Sequence, residues 1–533
     1  MVVNKIAKYL NQHLIGNVFD SEEILAKYST DHSIVKVTPK MVVVPEDTND
    51  VRKVVRFVSQ LAKKDVRLEL AVRGSGLDKT GADLGKDILI SMENMNKIQE
   101  IDERSRLVRV QAGVKLGALN QALSLVGLTI PINGDPEDTI GSLISNFKTD
   151  SYAGKYNGIY YYVDCLEAVI HTGDVIQTNR YSKHGIAKKQ GLTSAEGALY
   201  RDLYGLIEDN YDLVSDLRAR DTIDSTGYQM ITQVFRERGN TFDLMPMFFA
   251  AQGTLGIITE VILRCEVLPD EPAHFAAAFG SAKAAVDYAI SLESLNPREV
   301  NLYDARIFKI AAESGKDPNI FSKKFSGGYM LLVSFDDSER KSRRKIAKCL
   351  RRLPESAAAI IEDEANTGDF QKIVTAIRSF KNDNLRGERA PILDDVYVPA
   401  DRLDELVKAL KSQEEAYDVE LPLMGSITAN NYCIRPDLRL NSVEGRQVAV
   451  RLIKDVAEAL NEQGGSLTGG SPEGRTKALA AYPELTDAEV VLYTKVKDIF
   501  DPLEIFSPEI KLGAGLKETV KNLRTSYLED ITR

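Results

Sequence analysis

The 533-residue chain has no tryptophan, five histidines and four cysteines. The cysteines, Cys165, Cys265, Cys349 and Cys433, lie far apart and form no C-x-x-C pair. This spacing gives no disulfide framework and argues against a cysteine-ligated iron–sulfur cluster. Any electrons that leave a redox centre in this chain would therefore need an external carrier.

Long apolar runs and an excess of positive charge are also missing. No apolar run approaches the length of about 18 residues that a membrane span needs, and the first residues do not form a secretory signal, so we expect a cytoplasmic protein. A net charge of −10 argues against nucleic-acid binding. Residues 341–352 are strongly basic, which fits either weak peripheral contact with the inner membrane face or a solvated helix face.

The length predicts two or more domains, with the best boundary at the acidic, proline-containing segment 268–272. Strands and helices alternate on both sides of this segment, which predicts α+β domains. We predict strands at 41–44, 68–72, 88–90, 107–110, 163–170, 257–263, 329–335 and 396–398. We predict helices at 51–61, 116–123, 281–292, 403–416 and 487–500, and a loop at 464–470.

Three glycine-bearing strings stand in a fixed order beside β-rich stretches: 73–76 with Thr80 and Gly81, then 139–141, then 253–260. Glycine brings backbone N–H groups close to a phosphate because no Cβ intervenes. A nicotinamide-type fingerprint fits poorly, since its third glycine would fall at Lys79 and no acidic residue follows at the right distance. Ordinary turn glycines remain the other alternative.

Together these strings resemble the pyrophosphate-binding and isoalloxazine-lining segments of FAD-linked oxidoreductases of the vanillyl-alcohol oxidase superfamily. Further strings, such as 28–31, 134–136, 395–399 and 496–502, resemble its D-lactate dehydrogenase, glycolate oxidase and D-2-hydroxyglutarate dehydrogenase branch over nearly the whole chain. The resemblance implies an α+β fold. It implies a PCMH-type FAD-binding domain of two α+β subdomains (1–268), an α+β cap that covers the substrate (269–462), and a C-terminal segment that returns to the flavin (463–533).

The resemblance also assigns the cofactor site. The implied FAD-binding residues are Arg73, Gly74, Ser75, Gly76, Leu77, Thr80, Gly81, Pro136, Thr139, Ile140, Gly141, Ser142, Ser145, Asn146, Gly253, Thr254, Gly256, Ile257 and Ile258. Superfamily members with covalent FAD often carry a histidine shortly after the first loop, where this chain has Leu77. We therefore expect FAD to be bound noncovalently.

The branch holds a divalent metal, or supplies a base, with histidines and an acid from two strings. Here Ser426 and Cys433 stand at the first pair of histidine positions, while Gly470 and Ser471 replace a Glu-His pair. All five histidines lie at or before residue 274, so no shifted alignment restores them. We expect no metal site, because binding a divalent cation needs several good ligands at once. A non-histidine group, Tyr432, Cys433 or Glu473, would then assist proton removal.

The resemblance places Arg378 where the branch binds a substrate carboxylate, with Arg386 and Arg389 as nearby rivals and a surface arginine as the alternative. Two functions follow. The first is an FAD-dependent oxidoreductase that acts on CH–OH-type donors, with a small acidic or hydroxylated substrate and an unknown electron acceptor, and with divergent or lost metal and histidine chemistry. The second is a catalytically degenerate flavin-binding protein that senses a ligand or binds a partner.

Overall fold

The structure is a computed structural model that describes residues 2–220, 224–236, 240–313, 328–362, 367–382 and 389–525. Within these ranges, no helix combines the length and the apolar character needed to cross a membrane.

The strands of the first part of the chain build two main sheets and further small ones. They are β1 (Asn17–Phe19), β2 (Met41–Val44), β3 (Leu70–Arg73), β4 (Ile88–Ser91), β5 (Ile98–Asp102), β6 (Leu107–Gln111), β7 (Leu128–Thr129), β8 (Val163–Val169), β9 (Val175–Gln177), β10 (Tyr181–Ser182), β11 (Phe235–Arg236), β12 (Thr241–Phe242), β13 (Ile257–Arg264) and β14 (Glu266–Val267). One sheet has the order β1-β2-β4-β3, and the other, fully antiparallel, has the order β5-β6-β13-β8-β9.

The same part of the chain carries the helices α1 (Val2–His13), α2 (Glu22–Lys27), α3 (Thr48–Ala62), α4 (Leu116–Ser124), α5 (Ile140–Ser145), α6 (Ala153–Tyr156), α7 (Ile159–Tyr162), α8 (Lys183–Gln190), α9 (Ala195–Asp209) and α10 (Tyr211–Ala219). Strands β2 and β3 both run parallel to β4, so α3 is a crossover helix, as the sequence predicted. Asp47 caps α3 by accepting a hydrogen bond from the Asp50 backbone. The first glycine loop begins where β3 ends.

A seven-stranded antiparallel sheet forms the centre of the second part. Its strands are β15 (Ala273–Phe279), β16 (Glu299–Asp304), β17 (Tyr329–Phe335), β18 (Ala358–Ile361), β19 (Leu393–Tyr397), β20 (Leu423–Ser426) and β21 (Asn431–Ile434), in the order β18-β15-β17-β16-β20-β21-β19. The helices that follow are α11 (Ala282–Leu292), α12 (Ala305–Glu313), α13 (Glu339–Arg352), α14 (Thr367–Asn382), α15 (Leu403–Tyr417), α16 (Val443–Glu462), α17 (Ala478–Ala481), α18 (Asp487–Phe500) and α19 (Leu516–Lys521).

The two faces of this sheet carry different helices. One face packs against α11, α13, α15 and α16, and the other packs against α12 and α14. Because side chains alternate along a strand, neighbouring residues of β21 enter different environments. Tyr432 and Ile434 lie in the core beneath α15 and α16, whereas Cys433 faces the α12–α14 side.

The end of the chain returns to the first part. The core of the first part buries four residues of α18, namely Leu492, Tyr493, Val496 and Phe500. The Leu70 N–H of β3 donates to the Ile505 carbonyl at 2.7 Å, which extends that sheet. This packing brings the loop 464–476 between the two parts. The boundaries 1–268, 269–462 and 463–533 remain a prediction.

The basic stretch 341–352 lies on α13. This helix buries Ser342, Ile346 and Cys349 against the cap core, while most of its cationic side chains are exposed. Lys345 is an exception, since it pairs with Asp337 at 2.6 Å. Contact of this basic face with a membrane remains a prediction.

Candidate functional site

A pocket between the two main sheets of the first part brings the three glycine strings together. It is lined by Val72, Gly74, Ala82, Asp83, Met92, Ala112, Thr139, Gly141, Ser142, Ser145, Asn146, Gln252, Gly253, Gly256, Ile257 and Ile258. Ten of these residues were named from the sequence as FAD-binding. Gln252 was not, although it immediately precedes the third glycine string.

The cradle of this pocket depends on missing side chains. A Cβ at Gly74 would lie 2.3 Å from Thr139 Oγ1 and 3.0 Å from Ser142 Cβ. Gly76 and Gly253 have φ values of +77° and +73°, which favour glycine. The Ser75 hydroxyl is buried without a hydrogen-bond partner among the described residues. A glycine-lined cradle with an unpartnered donor suits the pyrophosphate of FAD.

Nine other residues named from the sequence lie outside that lining. Ile140 and Thr254 are buried in the core, and Thr254 donates its hydroxyl to the Ala251 carbonyl at 2.6 Å. Arg73 donates to the Thr30 carbonyl at 2.8 Å and lies over the Tyr28 ring, so it fixes the string 28–31. The remainder are Ser75, Gly76, Leu77, Thr80, Gly81 and Pro136.

A buried group of carboxyls lies beside the cofactor pocket. Oxygen atoms of Asp31, Asp78 and Asp83 are within 4.8 Å of one another, and Asp83 lines the pocket. Burial, followed by the charges of Asp83 and Asp78, raises the pKa of Asp31 well above its usual value. Burial and the neighbouring carboxyls thus favour the protonated form of Asp31. The neighbouring Arg524 donates to the Asp31 carbonyl and thereby ties the end of the chain to this loop.

A small cavity of about 10 Å³, called the gap below, shares lining residues with both the cofactor pocket and a larger pocket. It is lined by Asp78, Lys79, Thr80, Asn146, Lys148, Gln252, Asp395, Ser471 and Pro472. Gln252 holds the gap together, because its amide donates to Thr80 Oγ1 at 3.1 Å and to Asn146 Oδ1 at 3.3 Å. Its carbonyl oxygen accepts from the Gly474 N–H at 2.9 Å. One side chain thus links both glycine-rich regions to the C-terminal loop.

The larger pocket has a volume of about 730 Å³ and lies on the α12–α14 side of the cap sheet. Its charged and titratable lining residues are His32, Lys79, Asp135, Asp138, Lys148, Asp150, Tyr303, Arg378, Arg389, Asp394, Asp395, Cys433 and Arg435. Lys79 and Lys148 line both this pocket and the gap. The end of the pocket next to the gap therefore carries these two lysines together with the carboxylates of Asp78 and Asp395.

Asp394 binds two cations of the larger pocket, Lys79 and Arg435. Its carboxylate lies 2.8 Å from Lys79 Nζ and accepts bonds from Arg435 Nη2 at 2.7 Å and Nε at 3.1 Å. Burial opposes ionisation, but Arg435 and Lys79 outweigh it and hold the pKa of Asp394 well below its usual range. Asp394 is therefore charged. Lys148 pairs in the same way with Asp138, at 3.0 Å.

The structure brings one histidine to this pocket, and it comes from the opposite end of the chain from the strings that the sequence analysis compared. His32 lines the pocket and donates its backbone N–H to the Asp78 carbonyl at 2.9 Å. Burial, then Lys79, Lys148, Arg435 and Arg524, lowers the pKa of His32 to about 4. The imidazole is therefore neutral at physiological pH. Its position directly after the string 28–31 was the available sequence signal.

The three predicted base residues occupy different places. Tyr432 is fully buried in the opposite core, and Glu473 is buried in an ion pair with Lys511 at 2.9 Å, so neither lines the pocket. Cys433 does line it, but burial followed by the charges of Asp394 and Asp395 raises the pKa of its thiol to about 12. The prediction that one of these groups removes the substrate proton is not supported by their positions or ionisation.

The four positions that the resemblance matches to metal ligands offer poor donors. Gly470 has no side chain, and Ser471 Oγ already accepts from Lys477 Nζ at 2.9 Å. Ser426 lies 3.1 Å from Thr428 Oγ1, and Cys433 keeps its proton. Two hydroxyls and a protonated thiol beside several cations do not fit a divalent ion.

Two of the candidate arginines, Arg378 and Arg389, line the larger pocket. Arg378 is exposed on α14, whereas Arg389 is buried and its Nε has no hydrogen-bond partner among the described residues. The nearest carboxylate of Arg389, on Glu420, is 3.7 Å away, and burial lowers the pKa of this guanidinium. Arg386 lies outside the described residues. Of these two arginines, Arg389 is therefore the buried one with a nitrogen that could still bind an anion.

Comparisons with known proteins agree with this architecture. A family model described as "FAD binding domain" matches residues 39–179, and one described as "FAD linked oxidases, C-terminal domain" matches residues 268–510. D-2-hydroxyglutarate dehydrogenase of Escherichia coli is 24% identical over 95% of this chain and 51% of its own length. D-lactate dehydrogenase of Anaerostipes hadrus is 22% identical over 92% and 94%, respectively. The chain thus spans about half the length of the D-2-hydroxyglutarate dehydrogenases that it matches.

Solved structures show the same fold. p-Cresol methylhydroxylase with substrate bound superposes with a TM-score of 0.69 at 15% identity, covering 96% of this chain and 97% of that one. 4-Ethylphenol oxidase from Gulosibacter chungangensis gives 0.68 at 13% identity, covering 97% and 98%.

Proposed function

We propose that this chain, which matches the FAD-binding and FAD-linked oxidase C-terminal models, is an FAD-dependent oxidoreductase that oxidises a small hydroxylated carboxylic acid without a bound divalent metal. The observation that supports this proposal is the larger pocket, which carries the buried Arg389 and lies next to the glycine-lined cofactor pocket, with the gap between them. A substrate carboxylate bound by an arginine of this pocket would lie beside the cofactor pocket.

FAD, when bound, accepts a hydride from the alcohol carbon of the substrate. In this proposal Gly74, Thr139 and Ser142 cradle its pyrophosphate, and Asn146 and Gln252 lie at the gap where the two pockets meet. Electrons then leave for an acceptor outside the chain, since its four cysteines are free and dispersed.

In this proposal the substrate is bound by arginines that line the larger pocket. A guanidinium binds a carboxylate through two parallel hydrogen bonds, so Arg389 and Arg378 suit this role. Lys79 and Arg435 share Asp394, and Lys79 also lies 3.5 Å from Asp395, so these two cations are already balanced by carboxylates. A pocket of about 730 Å³ has room for a small acid and several waters.

Metal independence is supported by the donors at the positions that the resemblance matches to metal ligands. The side chains at Ser426, Cys433 and Ser471 are poor ligands, and the ammonium of Lys79 lies in the same pocket. Relatives described as dehydrogenases of D-2-hydroxyglutarate and D-lactate suggest the substrate class.

The proposal is tested by anaerobic flavin bleaching. FAD-loaded protein is mixed with D-lactate, glycolate, D-2-hydroxyglutarate and D-malate, each with and without EDTA, and the oxidised flavin band is followed. At least one acid should bleach the flavin at the same rate with and without EDTA. Bleaching that EDTA abolishes would contradict metal independence. An FAD that none of the acids reduces would instead favour a flavin-binding protein without turnover.

A further inference from the structure

We propose that Ser471, backed by Lys477, donates a hydrogen bond to the substrate oxygen whose carbon is oxidised, and so stabilises the negative charge that forms on that oxygen. The inference rests on the oxidoreductase function proposed above and gives these two residues a task within that reaction. Ser471 lines the gap between the two pockets, and Lys477 Nζ donates to Ser471 Oγ at 2.9 Å.

The hydroxyl of Ser471 has one hydrogen to donate, and no described residue accepts it. Its oxygen accepts from Lys477, so the hydrogen is left for another acceptor. The preceding residue holds the loop in place from two sides. The Gly470 N–H donates to the Asp395 carbonyl at 3.0 Å, and the Gly470 carbonyl accepts from the Thr149 N–H at 2.9 Å. Ser471 is therefore a donor whose backbone is fixed beside the gap.

Lys477 is a buried cation without a close carboxylate. The residue is 2% exposed, and no carboxylate oxygen of the described residues lies within 4.0 Å of its Nζ. Lys511, which is also buried, pairs with Glu473 at 2.9 Å. A buried ammonium is costly unless it is paired, and within the described part of the chain Lys477 has its hydrogen bond to Ser471 alone. It therefore favours the arrival of a negative charge beside Ser471.

The lining of the gap itself is balanced in charge. Its charged residues are Asp78, Lys79, Lys148 and Asp395. Lys79 lies 3.5 Å from Asp395, and Lys148 lies 3.0 Å from Asp138. Lys477, directly behind Ser471, therefore adds a cation that these carboxylates do not pair at close range.

The surrounding charges act on Lys477 in both directions. Burial, the largest cause, lowers its pKa, Asp395 and Asp394 oppose this shift, and Lys79 adds to it. An anionic oxygen at the Ser471 hydroxyl would favour the ammonium form. Lys477 and a negative charge in the gap would thus stabilise each other.

The size of the gap fits a single oxygen atom. Its volume of about 10 Å³ is close to that of one water-sized sphere. It shares Asn146 and Gln252 with the cofactor pocket, and Lys79 and Lys148 with the larger pocket. A substrate whose carboxylate is bound in the larger pocket can therefore place its neighbouring hydroxyl oxygen in the gap, next to the cofactor pocket.

The other hydroxyl and the amides of the gap already have acceptors within the protein. Thr80 Oγ1 donates to Asp78 at 2.9 Å, and Asn146 Nδ2 donates to Ser142 Oγ at 3.3 Å. The Gln252 amide donates to Thr80 and to Asn146. Of the two hydroxyls that line the gap, the one on Ser471 is therefore the donor that a ligand can use.

The step balances as follows. The O–H bond of the substrate breaks as its proton passes to water in the larger pocket, and the oxygen electron pair forms the carbonyl π bond. The C–H bond breaks at the same carbon, and its electron pair passes as hydride to the bound FAD. Ser471 and Lys477 keep their own protons and stabilise the charge on the oxygen while its O–H bond breaks.

Ligand binding tests the donor without requiring turnover. Oxalate carries an anionic oxygen next to its first carboxylate, whereas propionate carries a methylene group there. In FAD-loaded protein, Ser471→Ala and Lys477→Met should each weaken oxalate binding by about 10-fold or more and leave propionate binding within about twofold. The exposed residues Ser412→Ala and Lys495→Met are the matched controls. Unchanged oxalate affinity, or an equal loss for both acids, would overturn the proposal.

Anaerobic stopped-flow tests the reaction with the acids named above. Ser471→Ala should lower the flavin-reduction rate by about 100-fold, with a much smaller change in the dissociation constant of the acid, because the bond strengthens as charge forms. Lys477→Met should also be slow, and Lys477→Arg, which keeps the charge, should recover part of the rate. FAD content and urea midpoints identify any variant that fails to fold.

The double variant separates this role from a structural one. Because Lys477 acts through Ser471, Ser471→Ala combined with Lys477→Met should be no slower than the slower single variant. Fully additive losses, or a native rate in Ser471→Ala, would overturn the proposal. If no acid reduces the native flavin, the proposed function fails, and the comparison of oxalate with propionate still decides whether Ser471 and Lys477 bind an anionic oxygen.

Discussion

Lys79 Nζ lies 2.8 Å from Asp394 Oδ2, and this contact joins the first glycine loop to the cap sheet. Asp394 also binds Arg435, so one buried carboxylate is shared by two cations from different parts of the chain. Lys79 lines both the gap and the larger pocket, and Asp394 lines the larger pocket. It therefore links the position of the cap to the electrostatics of the site.

Asp394→Asn should destabilise the protein strongly, because it leaves two cations beside a neutral buried amide. Breaking a buried pair costs about 3–5 kcal/mol, whereas Asp287→Asn in the exposed pair with Lys283 should change stability by less than about 1 kcal/mol. The lowered pKa of Asp394 means that its contribution is present above the unfolded value, about 3.9, and falls as the pH drops below it. Urea unfolding at pH 7 and pH 3 should show the difference between native and variant shrinking in acid. A constant difference would show that the charge of Asp394 is unimportant.

FAD should leave the protein on acid or heat denaturation. Leu77 stands where a linking histidine would be expected, and it lines the larger pocket rather than the cofactor pocket. After precipitation in acid, the yellow colour should remain in the supernatant and elute as free FAD. Flavin that stays with the precipitated chain would show a covalent bond.

Gly74→Val should reduce the FAD content of the purified protein. Its first added carbon would lie 2.3 Å from Thr139 Oγ1, the atom that caps α5, so the cradle would have to open. Gly205→Ala is the control, since a Cβ there meets nothing within 4 Å. The ratio of flavin to protein absorbance measures the effect. Full retention in Gly74→Val would move the pyrophosphate elsewhere.

Arg389 and Arg378 should both contribute to the binding of a carboxylate. Arg389→Gln and Arg378→Gln should each weaken oxalate binding by about 1.5–3 kcal/mol, the scale of a hydrogen bond to a charged group. Arg343→Gln on the exposed face of α13 should leave binding unchanged. Perturbation of the flavin spectrum by oxalate gives the affinities. Unchanged affinity in both pocket variants would leave the anion to Lys79, Lys148 or the undescribed Arg386.

The sequence predicted the cofactor half of this site better than the substrate half. Glycine strings report backbone geometry locally, so the residues of 74, 139–146 and 253–258 could be named without knowing the fold. The helices α3 and α18 and the strand β2 were also predicted, because each has a strong apolar period or a continuous apolar run.

The substrate pocket could not be predicted in this way, because it forms only when distant segments meet. His32, Lys79 and Arg435 carry no local pattern that relates them, and only the tertiary fold places them in one pocket. Burial decides the ionisation of Cys433, whereas Arg435 and Lys79 decide that of Asp394. Cys433 and its neighbour Tyr432 also lie on opposite faces of β21. Strands β15, β16, β20 and β21 were missed for a related reason. β20 and β21 have only four residues each, and β15 and β16 are buried along most of their length, so they show little alternation of polar and apolar residues.

Glu473 provides the last prediction, since its predicted role and its structural role differ in a measurable way. Its carboxylate is fully buried and accepts hydrogen bonds from Lys511 Nζ at 2.9 Å, the Gly227 N–H at 2.9 Å and the Tyr482 hydroxyl at 2.5 Å. Burial lowers the pKa of Lys511, and Glu473 opposes that shift. Glu473→Gln should therefore lower the free energy of unfolding by about 3–5 kcal/mol, while Glu458→Gln in the exposed pair with Lys454 should change it by less than about 1 kcal/mol. Adding Lys511→Met to Glu473→Gln should recover part of the loss, because the unpaired cation is removed. A catalytic Glu473 would give the opposite result: flavin reduction would fall in the variant while its urea midpoint stayed at the native value.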